Sequence, residues 1–141
     1  MAQAAPGRVA LMSIRPRYAH AILEGRKTVE FRKRPLADDV THVVIYSTVP
    51  DRAVIGYFTV DGQETCTPES LWDEYRDQGV IGEGDFFNYY ASRERATGIR
   101  VGTATRLSRT LSLVDDLGVA RPPQSFQYLP GDRFEKVLTA A

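Results

Sequence analysis

Residues 24–34 read EGRKTVEFRKR, with five cationic side chains in eleven positions grouped around Glu30. Val29 and Phe31 alternate with Thr28, Glu30 and Arg32. On a strand the polar trio therefore shares one face, at intervals of about 6.6 Å. Lys27 sits at the turn before that alternation begins. A carboxylate beside Arg32 and Lys27 can fix their directions, so that the guanidinium fork loses less freedom on meeting a phosphate or a base edge. The same residues equally compose a structural ion pair on a sheet wall, and this short stretch does not decide between the two.

Other chemistries have less support. Neither G-x-G-x-x-G nor a Walker A pattern occurs, which removes the phosphate cradle of nucleotide-dependent phosphoryl transfer. His20, His42 and Cys66 are the only soft ligands and are scattered, so no metal and no cofactor is expected. Serine, histidine and aspartate are all present, but one histidine lies on a helix and the other at a strand start, and both read as surface residues rather than bases. Asp38-Asp39 and Asp115-Asp116 fall in loops, where caps and turns account for them.

The elements that must position the basic stretch are legible around it. Val9–Ile14 is a short buried strand. Pro16 opens a helix over 16–24 with Tyr18, Ala19, Ile22 and Leu23 at helical spacing, and Gly25 closes it as a left-handed C′ residue. Cations just beyond it complement the helix dipole. Pro35 ends the strand that carries Glu30 and Arg32. Further strands are expected at His42–Ser47 and Val54–Val60, then at Ile99–Leu107 with Leu111–Val114 as a continuation or partner. Thr67-Pro68-Glu69 starts a helix with Leu71, Trp72 and Tyr75 facing inward. Asp85 is expected to cap another, whose Phe86, Phe87, Tyr89 and Tyr90 read as core rather than as a base-stacking platform. RPPQSFQYLP, from Arg121, reads as an extended segment packed through Phe126, Tyr128 and Leu129. Gly131-Asp132 starts a short last helix to Leu138.

Five or six short strands with two to four inserted helices in 141 residues indicate an α+β domain whose strands curl into a small barrel. Residues 1–8 are expected as a flexible N-terminus and 9–141 as one domain. A chain of this length buries about two-thirds of its unfolded surface, enough for a core. One cysteine, no signal-peptide pattern and no apolar run near the roughly 20 residues of a membrane span point to a soluble, cytoplasmic protein with no membrane partner. The zero net charge conceals a division: Arg15–Arg34 holds seven bases against two acids, and Asp61–Asp85 eight acids against one base. The two stretches either pair with each other as solvated faces or leave a basic groove attractive to phosphates.

Gly25–Arg32, GRKTVEFR, resembles the G-x-K-x-x-E-x-R signature of the ASCH domain, a branch of the PUA-like superfamily of RNA-associated β-barrels. ALMSIRPRYAHAIL, VVIYSTVP with VIGYF, PESLW and PPQSFQYL extend the resemblance over about residues 9–130, to a bacterial and archaeal subgroup of predicted transcriptional regulators. It implies a PUA-like barrel with a cleft beside the signature that binds RNA or a nucleotide-like ligand. Lys27, Glu30 and Arg32 would line that cleft, with Arg15, Lys33 and Arg34 adding positive charge. Ser47, Thr48, Gln124, Ser125 and Tyr128 would form its rim.

Some small members of the family are amidohydrolases of acetylated cytidine, and one branch comprises ribonucleases. The amidohydrolases resemble this chain at Lys27 but carry threonine where it has Glu30, and Thr28 is too far along the strand to replace that hydroxyl. The leading expectation is a non-catalytic RNA-binding module. The alternatives are a ribonuclease or modified-nucleoside hydrolase using Lys27, and a protein-interaction domain whose acidic 61–85 stretch docks a basic partner.

Overall fold

The computed structural model describes residues 6–141; residues 1–5, part of the expected flexible N-terminus, lie outside it. Six strands and four helices follow in the order β1 (Arg8–Ile14), α1 (Pro16–Leu23), β2 (Val29–Arg32), β3 (Val40–Ser47), β4 (Ala53–Cys66), α2 (Pro68–Tyr75), α3 (Glu83–Tyr89), β5 (Ala96–Leu111), β6 (Phe126–Leu129) and α4 (Gly131–Ala140). They form one mixed sheet in the order β2-β5-β4-β3-β1-β6. β1 and β3 run parallel, joined through α1 and β2, and their C-terminal residues Ile14 and Ser47 lie side by side. The other neighbours are antiparallel.

The apolar runs dictate three cores. VALM of β1 and VVIY of β3 are buried on both faces, as central strands of a covered sheet must be. One face packs against α4 through Phe134 and Val137, and the other against α1 through Ala19 and Ile22. The third core lies under α2 and α3, where Phe86 meets Phe31 edge to face at 4.9 Å and Leu71, Tyr75 and Tyr90 close around them. Such an aromatic pair contributes about 0.5–1.5 kcal/mol beyond its buried area. Phe86 and the C-cap Tyr90 are core, and Phe87 and Tyr89 pack against it partly exposed.

No ladder joins β2 to β6, so strand pairing does not close the expected barrel. The sheet curls until its edges face each other, and side chains span the seam. Arg32 reaches Ser13 and Ser125, the Ala37 N–H donates to the Tyr128 hydroxyl, and Arg34 stacks on Phe126.

Several boundaries differ from expectation. β4 runs on past Val60 to Cys66, a polar extension whose half-exposed faces carry no apolar alternation. β5 is one strand of 16 residues, with register shifts against β4 absorbing its irregular pattern. Gly82, not Asp85, is the N-cap of α3, and Asp85 lies in its first turn. Thr28 precedes β2 and is exposed, whereas Glu30 and Arg32 are buried, so the trio does not share one environment.

Candidate functional site

The end of α1 delivers the basic stretch into the interior. Gly25, at φ +81°, takes the left-handed position, and its N–H donates to Ile22 O at 3.1 Å. The Arg26 N–H donates to Ala21 O at 2.9 Å, completing the paired bonds of a Schellman cap. A side chain at Gly25 would carry the cost of a left-handed backbone. The reversal turns Lys27 inward, where it is 2% exposed.

The Lys27 ammonium donates to Gly79 O at 2.6 Å and lies 3.4 Å from Glu30 Oε1, between the rings of Tyr18 and Phe31. Gly79 has to be small. A Cβ there would stand 2.1 Å from Phe31 Cε2. Glu30, 5% exposed, accepts from Arg32 Nη1 at 3.0 Å on its other oxygen. Arg32, 9% exposed, also donates from Nη1 to Ser13 O at 3.3 Å, and from Nη2 to Ser125 O at 3.2 Å and Oγ at 2.8 Å. Its Nε is buried without a partner among the described residues. The Tyr90 hydroxyl donates to Arg32 O at 2.8 Å, and burial pushes both Tyr89 and Tyr90 above the usual phenol range.

Glu30 thus orients two cations, but all three groups are buried and face one another and protein acceptors. Burial holds the Lys27 ammonium below its ordinary value of 10.5, opposed by the Glu30 carboxylate. Below the folded-state value the cost of burying the charge is fully present. Above it the folded chain releases the proton while the unfolded chain still holds it, so stability rises with pH up to the unfolded value. In urea unfolding, the wild-type chain is therefore expected to gain stability relative to Lys27→Met as pH climbs toward 10.5. A difference that stays flat over that range would contradict a buried ammonium.

The other expected residues divide. Arg15, Lys33 and Arg34 are exposed and belong to none of the ion pairs among the described residues. Lys33 lies over the Tyr89 ring at 4.9 Å and Arg34 over Phe126 at 5.9 Å. Ser125 meets Arg32 directly, with exposed Gln124 beside it. Tyr128 lies three residues beyond Ser125, on β6, against Arg8 and Ala37. Thr48 is half-buried and bonds to Ile14 through its backbone. None of these ion pairs joins the basic stretch to the acidic one, whose Glu69, Asp73, Glu74, Asp77, Glu83 and Asp85 are exposed. Two surface depressions, one beside Arg121 and Arg133 and one beside Leu36 and Gln63, are lined by none of Lys27, Glu30 and Arg32.

Ser47 belongs to a second cluster. Its buried hydroxyl donates to Asp51 Oδ2 at 2.7 Å, and the same oxygen lies 2.7 Å from His20 Nε2. Arg106 Nη1 is 3.4 Å from His20 Nδ1. The carboxylate stands between serine and histidine, so this is not a serine-nucleophile triad, in which histidine occupies the middle. Asp51 and Arg106 drew no notice in the sequence. The S-T-V-P-D turn after β3 places Asp51 within reach of Ser47, but nothing local announces a histidine from α1.

No family model matches the chain. A protein of Zymomonas mobilis named ASCH domain-containing ribonuclease is 30% identical over 133 residues, covering 92% of this chain and 90% of that protein. The crystal structure of a serine-to-alanine mutant of the Zymomonas mobilis ASCH protein superposes with a TM-score of 0.86 at 29% identity, covering 96% of this chain and 98% of that one. The large ribosomal subunit protein uL22 of Ureaplasma parvum is 27% identical over 120 residues, 84% of this chain but 38% of that protein.

Proposed function

The chain belongs to the ASCH domain family, and on that footing we infer that it binds single-stranded or structured RNA along the seam between β2 and β6. Exposed Arg15, Lys33 and Arg34 meet the phosphates. The buried Lys27–Glu30–Arg32 cluster beneath them holds the seam in shape and supplies positive potential with little screening. One observation carries this reading: Arg15, Lys33 and Arg34 are exposed and form no ion pair among the described residues, the acidic stretch included, while Lys33 and Arg34 follow directly on the buried, carboxylate-oriented Arg32. Lys33 and Arg34 lie over the rings of Tyr89 and Phe126, which limits the freedom they lose on meeting a phosphate.

Titration of a mixed-sequence single-stranded RNA at several salt concentrations tests it. Affinity should fall with salt at a log-log slope of about −0.7 per phosphate neutralised, and replacing Arg15, Lys33 and Arg34 together by glutamine should make the slope shallower by about 2. Absence of measurable binding at low salt would overturn the reading.

A second reading, RNA cleavage, is favoured by the name of the Zymomonas relative. Lys27 is then the expected catalytic cation, and Lys27→Ala should abolish turnover. Its ammonium faces Gly79 O and Glu30, so a phosphate reaches it only by displacing one of them.

A further inference from the structure

RNA cleavage needs a group that removes the 2′-hydroxyl proton, and Lys27, Glu30 and Arg32 are buried against one another and against backbone acceptors. The His20 cluster carries a part-exposed imidazole. Its Nε2 is held by Asp51 Oδ2, and Asp51 is fixed from beneath by the buried Ser47 hydroxyl. The bonds from Ser47 and then His20 keep the Asp51 carboxyl below the usual carboxylate range, so it is an anion at neutral pH. A carboxylate accepts only, so Nε2 carries a hydrogen, and in the tautomer that leaves Nδ1 bare the Nδ1 lone pair accepts from Arg106 Nη1 at 3.4 Å. Arg106 is exposed, so a phosphate that draws its guanidinium away frees that lone pair for the 2′-hydroxyl. The side chains of His20 and Asp51 are 37% and 30% exposed, so a substrate can reach them. The charged groups around the imidazole are Asp51 from the β3–β4 turn, Arg106 from β5, and Glu24 from its own helix, itself paired with Arg26.

This cluster occupies the same end of the sheet as the seam. Ser47 is the last residue of β3 and pairs with Ile14, the last of β1. The preceding Ser13 O accepts from Arg32, and exposed Arg15 leaves β1 at this end. Arg15 and the His20 cluster thus lie at the same end of β1 and β3.

We propose that His20 is the catalytic base of an RNA-cleaving centre in this chain, with Asp51 as its positioning residue and Arg106 as the cation facing the scissile phosphate. The proposal rests on the RNA-binding reading above. His20 Nδ1 takes the proton of a 2′-hydroxyl. The 2′-oxygen forms a bond to the adjacent phosphorus, and the bond from phosphorus to the 5′-oxygen breaks. The leaving 5′-oxygen takes a proton from water, and the imidazolium returns its proton to the resulting hydroxide. The products are a 2′,3′-cyclic phosphate and a 5′-hydroxyl, with no other reactant consumed.

The test uses the full chain and a labelled single-stranded RNA oligonucleotide beside its all-2′-deoxy counterpart. The wild-type protein should cut only the RNA, leaving cyclic phosphate ends. His20→Ala should lower the rate by about 10²–10⁴-fold, the usual worth of a general base, with RNA affinity and melting temperature unchanged and part of the rate restored by added imidazole. Asp51→Asn should lower the rate and displace its pH profile, because an amide can turn an N–H toward Nε2 and reverse the tautomer. The proposal is overturned if wild-type protein binds the RNA without cutting it, or if folded His20→Ala cuts as fast as wild type. Failure to bind RNA at all overturns the reading beneath it as well.

Discussion

Glu30→Ala is expected to cost about 3–5 kcal/mol of folding stability, because it leaves two buried cations facing each other without their shared anion. Lys27 and Arg32 approach the two oxygens of this one carboxylate from opposite sides, and little solvent reaches any of the three. For a chain of this length the loss corresponds to a fall in melting temperature on the order of 10 °C. Glu30→Gln keeps the size and one acceptor oxygen, so it should fall between wild type and alanine. A Glu30→Ala protein that melts with the wild type would show that water or an anion already compensates the cations, and the seam would then be an open site rather than a structural clasp.

Arg32→Lys ranks next. One guanidinium serves Glu30, the Ser13 carbonyl and both oxygens of Ser125, and a lysine ammonium at the same position cannot span them. The loss of even one charged hydrogen bond costs about 1.5–3 kcal/mol. Because these bonds cross from β2 to the segment leading into β6, the damage should be local. Amide hydrogen exchange is expected to quicken in β6 and at Ser125, while the long β4–β5 pair keeps its protection. Uniform loosening of the whole sheet would mean that Arg32 contributes to general stability and not to the seam.

Features set by neighbours in the chain were legible from residue type. Gly25 as the C′ residue, Thr67 as an N-cap whose hydroxyl accepts from the Ser70 N–H, and the apolar run of β3 all appear as their local chemistry dictates. The association of Glu30 with Arg32 was legible too, two residues apart on one strand. What the cations do was not. Lys27 finds its carbonyl 52 residues away and Arg32 finds Ser125 93 residues away. A stretch dense in positive charge looks like an open cleft until those acceptors appear. The meeting of His20, Asp51 and Ser47 was hidden for the same reason, since α1 reaches the β3–β4 turn only once β1 and β3 lie parallel. β4 beyond Val60 escaped because a strand with two half-wet faces has no period to read.

Cys66 and Ala96 sit opposite each other on β4 and β5, so the excursion that carries α2 and α3 leaves and rejoins the sheet at a single rung. An insertion of that kind can be exchanged or resized without shifting strand register, since the hairpin beneath it is already closed. This one is nevertheless tethered, for its Gly79 carbonyl holds the Lys27 ammonium and its Tyr90 hydroxyl holds the backbone of Arg32. Any graft in its place inherits two obligations, an acceptor for the lysine and a donor for the strand. Grafts that meet them are free to reshape the ground around Lys33, and with it the selectivity of the surface.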